Sequence, residues 1–158
     1  MNRIRFNIAQ DEKRIKKVED IARIVWSQHY AQILDQGQID FMLEKYQSAE
    51  AIERQIQQDG YAYYIISSDG EECGYFAFTM DKETLFLSKI YVMENFRKQG
   101  IASQVINFLC KICIENNSNK PEDGERIIIK IMRDQYRLIS IWGFKKYAPR
   151  QRILEKAM

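Results

Sequence analysis

The sequence predicts an α+β fold built on a mixed, mostly antiparallel sheet. Three observations carry that prediction. Apolar residues recur at helical spacing through residues 15–56, switch to strand-like runs over residues 61–92, and return to helical spacing from Gly100. Short polar turns join the strand runs, which makes neighbouring strands antiparallel. A helix separates the run ending at Val92 from the run over residues 127–131, so those two strands can lie parallel through a right-handed crossover.

Each element follows from its residues. Ile4, Phe6 and Ile8 alternate along a first strand over residues 3–8. Ile15, Val18, Ala22 and Val25 make one face of a helix, with Asp11 as its N-cap. A second short helix covers residues 38–46. A third follows Ser48, turns Ile52 and Ile56 inward and ends at Gly60. Residues 61–67 are aromatic and β-branched, hence a strand. Ser68-Asp69-Gly70-Glu71 turns the chain into a return strand over residues 73–79. Asp81-Lys82 turns it again into a long apolar strand over residues 84–92. Ile101, Val105, Phe108, Leu109 and Ile112 define a helix over residues 100–116, and residues 117–125 form a polar loop. A buried strand over residues 127–131, a short helix over residues 135–141 and a strand opening at Gly143 complete the order.

A chain of 158 residues and 18.8 kDa reads as one domain over residues 1–158, large enough for a substantial core. With 46% apolar and 29% charged residues, wholesale disorder is excluded. No apolar run approaches the roughly 18–20 residues that span a bilayer, and residues 1–6 carry no signal-peptide pattern. We therefore expect a cytoplasmic protein without a membrane partner. Cys73, Cys110 and Cys113 fit buried thiols of a reducing compartment. With His29 as the one histidine there is no metal pattern, and no metal is expected. Net charge is +2 but uneven: residues 126–158 hold nine Lys/Arg against two Asp/Glu. Such a tail attracts phosphates or is simply a solvated surface. Without a reading motif or interleaved aromatics it does not predict a nucleic-acid partner.

The chemistry concentrates in residues 87–103. A strand ends, a loop carries Arg97 and Lys98, and a helix opens at Gly100. Free amides and the positive dipole end of a helix N-terminus form an anion site. Gly100 and Ala102 let a phosphate approach the backbone, and Ser103 adds a hydroxyl. The segment is neither a Walker loop nor a dinucleotide fingerprint. Read on chemistry alone, one glycine before a helix marks either an anion site or a plain turn.

Arg97-Lys98-Gln99-Gly100-Ile101-Ala102 matches Arg/Gln-x-x-Gly-x-Gly/Ala at every fixed position. This resembles the acetyl-CoA-binding motif of the GCN5-related N-acetyltransferase (GNAT) family. Lys89-Ile90-Tyr91-Val92 resembles that family's strand end, and Val105, Ile106 and Leu109 its following helix. The resemblance covers about residues 1–147. It implies helices on both faces of the sheet and a split between two parallel central strands, opened by a β-bulge beside Tyr91 and Val92. It implies that acetyl-CoA is the co-substrate. Its pantetheine arm would pair with the backbone of Ile90, Tyr91 and Val92, and its pyrophosphate would lie on Arg97, Lys98, Gln99, Gly100, Ile101, Ala102 and Ser103. An N–H near Val92 would polarise the acetyl carbonyl. His29-Tyr30 and residues 38–56 are similar to the PaiA-type branch, which includes polyamine acetyltransferases. Asp35, Asp40, Glu44, Glu50, Glu53 and Asp59 against Lys45 and Arg54 would either draw a polycationic amine or form a solvated helix face.

The last thirty residues depart from the family. Where its general-acid Tyr is expected, four residues before Gly143, stands Ile139. Tyr136 is the nearest phenol, with Tyr147 a weaker one; Tyr136 either donates a proton to the leaving thiolate or packs at the rim. From about residue 132 the domain is shortened and atypical. The reading that follows is an enzyme moving acetyl from acetyl-CoA to a primary amine of a small molecule, possible polyamines included. The amine must first lose a proton, to a carboxylate such as Glu44 or through water; His29 is either a further base or structural. The rival reading is a CoA-binding protein that no longer catalyses. Arg152-Ile153-Leu154 is apolar enough to cover a partner's open sheet edge, so the chain either forms a homodimer through its tail or is a monomer with a frayed one.

Overall fold

Capping side chains set where the helices begin. Helix α1 (Glu12–Tyr30) follows Asp11, whose carboxylate accepts the Arg14 amide at 2.9 Å. Helix α2 (Gln36–Gln47) opens with a reciprocal capping box: Asp35 accepts the Gln38 amide at 2.8 Å and Gln38 accepts the Asp35 amide at 3.1 Å. It therefore starts two residues before the expected Gln38. Helix α3 (Ala49–Gln58) is capped by Ser48, whose Oγ accepts the Ala51 amide at 3.2 Å. Its start is also tied to α1, because buried Glu19 accepts the Ala49 amide at 2.5 Å and pairs with Lys16 and Arg23. Burial pushes the Glu19 carboxyl up, but the Lys16 bond, the Ala49 amide and Arg23 outweigh it and hold the carboxyl below its ordinary value.

The computed structural model describes residues 2–81, 84–118, 128–131 and 152–153. Its strands are β1 (Ile4–Ile8), β2 (Ala62–Ser68), β3 (Glu71–Met80), β4 (Thr84–Val92), β5 (Ile128–Ile131) and β6 (Arg152–Ile153). They form one sheet in chain order, antiparallel throughout except for β4 and β5, which run parallel. The β2–β3 turn places Asp69 and Gly70 at φ 51° and 86°, the left-handed pair that matches strand twist in a two-residue hairpin. Helix α4 (Ile101–Ser118) supplies the crossover between β4 and β5.

The sheet separates two cores. On one face Ile66, Phe76, Phe78, Leu85, Leu87, Ile90 and Val92 pack with Ile101, Val105 and Leu109 of α4. On the other, Tyr63, Ile65, Tyr75, Ala77 and Tyr91 pack with Val18, Ala22, Val25 and Trp26 of α1, Ile39 and Leu43 of α2, and Ile52 of α3. One irregularity in β4 makes this sorting possible. Ala77 pairs with Lys89 while Phe78 pairs with Leu87, so Ser88 is an extra residue in the strand. The bulge expected beside Tyr91 and Val92 is thus found at Ser88. It follows directly on the β4–β5 ladder, which runs from Thr84 to Leu87. The extra residue keeps Ile90 and Val92 on the α4 side and turns Lys89 and Tyr91 toward α1 and α3.

The tail expectation needs a correction. The β5 edge expected to await a partner's tail is covered at Ile128 and Ile129 by this chain's own Ile153 and Arg152. The expected helix over residues 135–141, the strand at Gly143, and Tyr136, Ile139 and Tyr147 lie outside the described residues. Among the described residues no helix is long and apolar enough to cross a membrane. None of the three cysteines forms a disulfide, and burial pushes the Cys73 and Cys113 thiols up to about 11.

Candidate functional site

The end of β4 delivers the chain into a tight loop. Val92 sits opposite Gly74 of β3, and the Met93 amide donates to the Cys73 carbonyl at 2.7 Å. A single 3-10 turn (Glu94–Phe96) follows. The Arg97 side chain then folds back, its Nε donating to the Val92 carbonyl at 2.8 Å. That bond closes the loop on the strand it left. Lys98 and Gly100 both take left-handed backbone, at φ 62° and 77°. Alternation of this kind turns successive N–H groups toward one side, as in an anion nest.

Helix α4 begins immediately afterwards. Its first internal bond runs from the Gln104 amide to the Gly100 carbonyl at 3.2 Å. The amides of Ile101, Ala102 and Ser103 precede it and have no carbonyl four residues back within the helix. Gly100 has no side chain to cap them. A Cβ placed on Gly100 would meet nothing within 4 Å, so the space before the helix is open. An open hollow there is lined by Val92, Phe96, Arg97, Lys98, Gly100, Ile101 and Ala102. The Gln99 side chain points to the rim, accepting from Asn2 at 2.8 Å and donating to the Asn95 carbonyl at 3.3 Å. Amides, a helix dipole and two cations around an open hollow suit a phosphate or pyrophosphate.

The opposite side of the strand end is aromatic. The Tyr91 and Tyr30 hydroxyls share a hydrogen bond at 3.3 Å, and Trp26 and His29 lie against Tyr91 with ring centroids at 5.7 and 6.4 Å. Gln28 accepts the Glu94 amide at 3.0 Å and fastens the end of α1 to the loop. Burial lowers the His29 pKa below 6.5, and the Arg97 charge lowers it further. Both effects favour the neutral imidazole, whose lone pair lies beside the strand end.

Farther back on this face, Lys89 donates to Gln55 Oε1 at 3.1 Å and lies 4.6 and 5.4 Å from the ring centroids of Tyr61 and Tyr63. Burial lowers its pKa to about 8. Gln55 Oε1 also accepts the Tyr63 hydroxyl at 2.6 Å, and Gln55 Nε2 donates to the Tyr46 carbonyl at 2.9 Å. A further chain runs inward: Gln47 reaches the Tyr63 hydroxyl at 3.5 Å, Tyr75 donates to Gln47 at 2.5 Å, and Trp26 donates to Tyr75 at 3.1 Å.

Residues 97–103 and the strand end 90–92 are thus brought together in the structure. Glu44 is not: it lies on the exposed face of α2, and among the described residues no hydrogen bond, ion pair or ring contact joins it to β4 or the loop. Asp35, Asp40, Glu50, Glu53 and Asp59 are exposed as well. Tyr136 lies outside the described residues. Lys89 and its cage were not expected. Gln55, Tyr61 and Tyr63 stand 26 to 34 residues before Lys89 in sequence, beyond the reach of motif spacing.

Comparison with known proteins bears on the family and the fold. The model of the Acetyltransferase (GNAT) family matches residues 18–121. No curated protein matches the sequence significantly. Among solved structures, the chain is similar to the PaiA N-acetyltransferase of Thermoplasma acidophilum in complex with coenzyme A. The TM-score is 0.66 at 14% identity, over 89% of this chain and 86% of that one. It is similar to a GCN5-related N-acetyltransferase from Ralstonia eutropha JMP134, with TM-score 0.59 at 10% identity, over 98% and 100% of the two chains. It is also similar to an aminoglycoside acetyltransferase from an uncultured soil metagenomic sample, in complex with sisomicin. There the TM-score is 0.58 at 12% identity, over 95% and 92%. At these identities the structures share the fold.

Proposed function

The chain belongs to the acetyltransferase (GNAT) family, and we propose that it moves an acetyl group from acetyl-CoA to a primary amine of a small molecule, the whole chain acting as one such domain. One observation carries the proposal. Residues 97–103 form an amide-lined, open anion cradle fused to the end of β4. The amides of residues 101–103 and the charges of Arg97 and Lys98 would hold the pyrophosphate. Val92, Phe96 and Ile101 form the apolar wall next to it. Acetyl-CoA supplies an activated thioester when bound.

An ammonium has no lone pair, so the acceptor must give up a proton before it attacks. The neutral imidazole of His29 beside Tyr30 and Tyr91 is the better-placed base, and it replaces Glu44 in that role. Tyr136 is proposed as the donor to the departing thiolate. Exposed carboxylates on α2 and α3 would draw a polycationic acceptor, whereas the half-buried ammonium of Lys89 opposes one.

The test is calorimetric titration with acetyl-CoA and assay of thiol release with a panel of amines. Gly100→Val should abolish acetyl-CoA binding, because a β-branched side chain at φ 77° is strained and fills the open space at the helix start. Unchanged affinity in that variant removes the cradle. Binding without thiol release from any amine favours the reading of a CoA-binding protein that no longer catalyses.

A further inference from the structure

We infer that Lys89, with Ser88 and Tyr61 beside it, is a carboxylate-binding subsite for the acceptor, so that the acceptor is an amine that also carries an acid group. The inference rests on the acetyl-transfer reading and names the acceptor class within it. It starts from the place of Lys89 in the sheet. Lys89 and Tyr91 share a face of β4 and stand about 7 Å apart along the strand. Tyr63, Ala77 and Lys89 form one cross-strand row. The small side chain of Ala77 leaves a lane over β3, and the Lys89 stem crosses it to bring Nζ above the Tyr63 and Tyr61 rings.

Among the described residues the ammonium is held but not neutralised. Its hydrogen-bond acceptor among them is the Gln55 carbonyl oxygen, an uncharged amide where a carboxylate would have balanced it. Gln55 cannot turn away, since its oxygen also takes the Tyr63 proton and its nitrogen is tied to Tyr46. The ion pairs among the described residues are all made by other residues. Two ring faces shield the cation without cancelling its charge. Close by, Tyr61 donates to Ser88 Oγ at 3.4 Å, which leaves the Ser88 hydroxyl proton as a further donor. A half-buried ammonium without a counter-charge is costly unless something pairs it. The burial that depresses the basicity of Lys89 is the same cost seen from the proton's side. An incoming carboxylate supplies the missing charge and accepts from both Lys89 and Ser88. A second ammonium, as in a polyamine, meets repulsion.

Matched acceptors decide the matter: 4-aminobutyrate against butylamine, 6-aminohexanoate against hexylamine, with putrescine as the polycation. In thiol-release assays the acid member of each pair should have kcat/KM higher by about tenfold or more, the size of a charge-assisted bond. Lys89→Met should bring each ratio to within about twofold, and Lys89→Arg should retain a preference. Simple amines or putrescine matching the amino acids in the wild type would overturn the inference, as would a preference that survives Lys89→Met. An independent readout needs no turnover. Lysine-resolved NMR of the protein should show the Lys89 titration midpoint rising on addition of 6-aminohexanoate at about 50 mM; an unmoved midpoint refutes the subsite. Failure to bind acetyl-CoA would instead strike the acetyl-transfer reading, and the NMR titration would still judge the subsite separately.

Discussion

At Gly74 the backbone of β4 lies where a side chain on β3 would stand, and replacing this glycine with alanine should damage the fold and the site together. An ideal Cβ on Gly74 falls 2.2 Å from the Tyr91 carbonyl oxygen and 3.1 Å from the Val92 Cα. Ordinary contact begins near 3.4 Å, so β3 and β4 must separate by about 1.2 Å at this point. Both obstacles are backbone and cannot swing aside. Overpacking of this kind costs about 1–3 kcal/mol, and one or two ladder bonds stretched past their useful length add about 1 kcal/mol each. A total near 2–5 kcal/mol in a chain of this size lowers Tm by about 4–20 °C. Calorimetric melting reads that shift. Gly60→Ala is the control: a Cβ there meets nothing within 4 Å but must adopt φ 72°, a left-handed strain of about 1–2 kcal/mol. Its Tm should fall less. Because the Val92 carbonyl anchors Arg97, Gly74→Ala should also weaken acetyl-CoA binding, whereas Gly60→Ala should not. A Gly74→Ala protein melting within about 2 °C of wild type would refute the reasoning.

Two further outcomes are expected. His29 is the one histidine in the chain, so its NMR titration is unambiguous. The midpoint should lie below 6.5 in the wild type and rise in Arg97→Ala, which removes a neighbouring positive charge; a wild-type midpoint at or above 6.5 contradicts the placement. Since the unfolded chain takes that proton first, stability should fall as pH drops from 6.5 toward the folded midpoint and then level off, which urea titrations at several pH values would show. Lys98→Gly should raise Tm by a few degrees, since it relieves an exposed left-handed residue by about 0.5–1 kcal/mol. The same change should weaken acetyl-CoA binding by removing a charge, and a lower Tm would count against the strain.

What the sequence made legible was local. The loop over residues 97–103 is contiguous, so its charges, glycine and helix start could be read in a row. Strand β4 is legible at both ends, Thr84 and Val92, because apolar residues 85–87 and 90–92 stand on either side of Ser88 and Lys89. Helix α2 was begun two residues late because Gln36 and Gly37 are polar, although the Asp35-x-x-Gln38 capping signature lay in plain view. The bulge could not be read from any one residue. Its trace is a change of parity, with Leu85 and Leu87 on odd positions and Ile90 and Val92 on even ones, which acquires meaning only once the faces are known. The Lys89 cage draws Gln55 from α3 and Tyr61 and Tyr63 from the start of β2. Packing assembles it, and no spacing rule announces it.

Ser88 is the residue by which β4 outruns its neighbour β3. Deleting it would join Leu87 directly to Lys89, and plain alternation would then leave Leu85, Leu87, Ile90 and Val92 on one face and Lys89 and Tyr91 on the other, as they stand now. Both cores would keep their residues. The bend would go: a bulge turns a strand out of its ladder, and this one falls where the pairing of β4 with β5 ends. A straight β4 would keep the direction it has at Leu87 and carry the loop after Val92 to another place. Deleting the Ser88 codon should therefore cost acetyl-CoA binding more than it costs Tm.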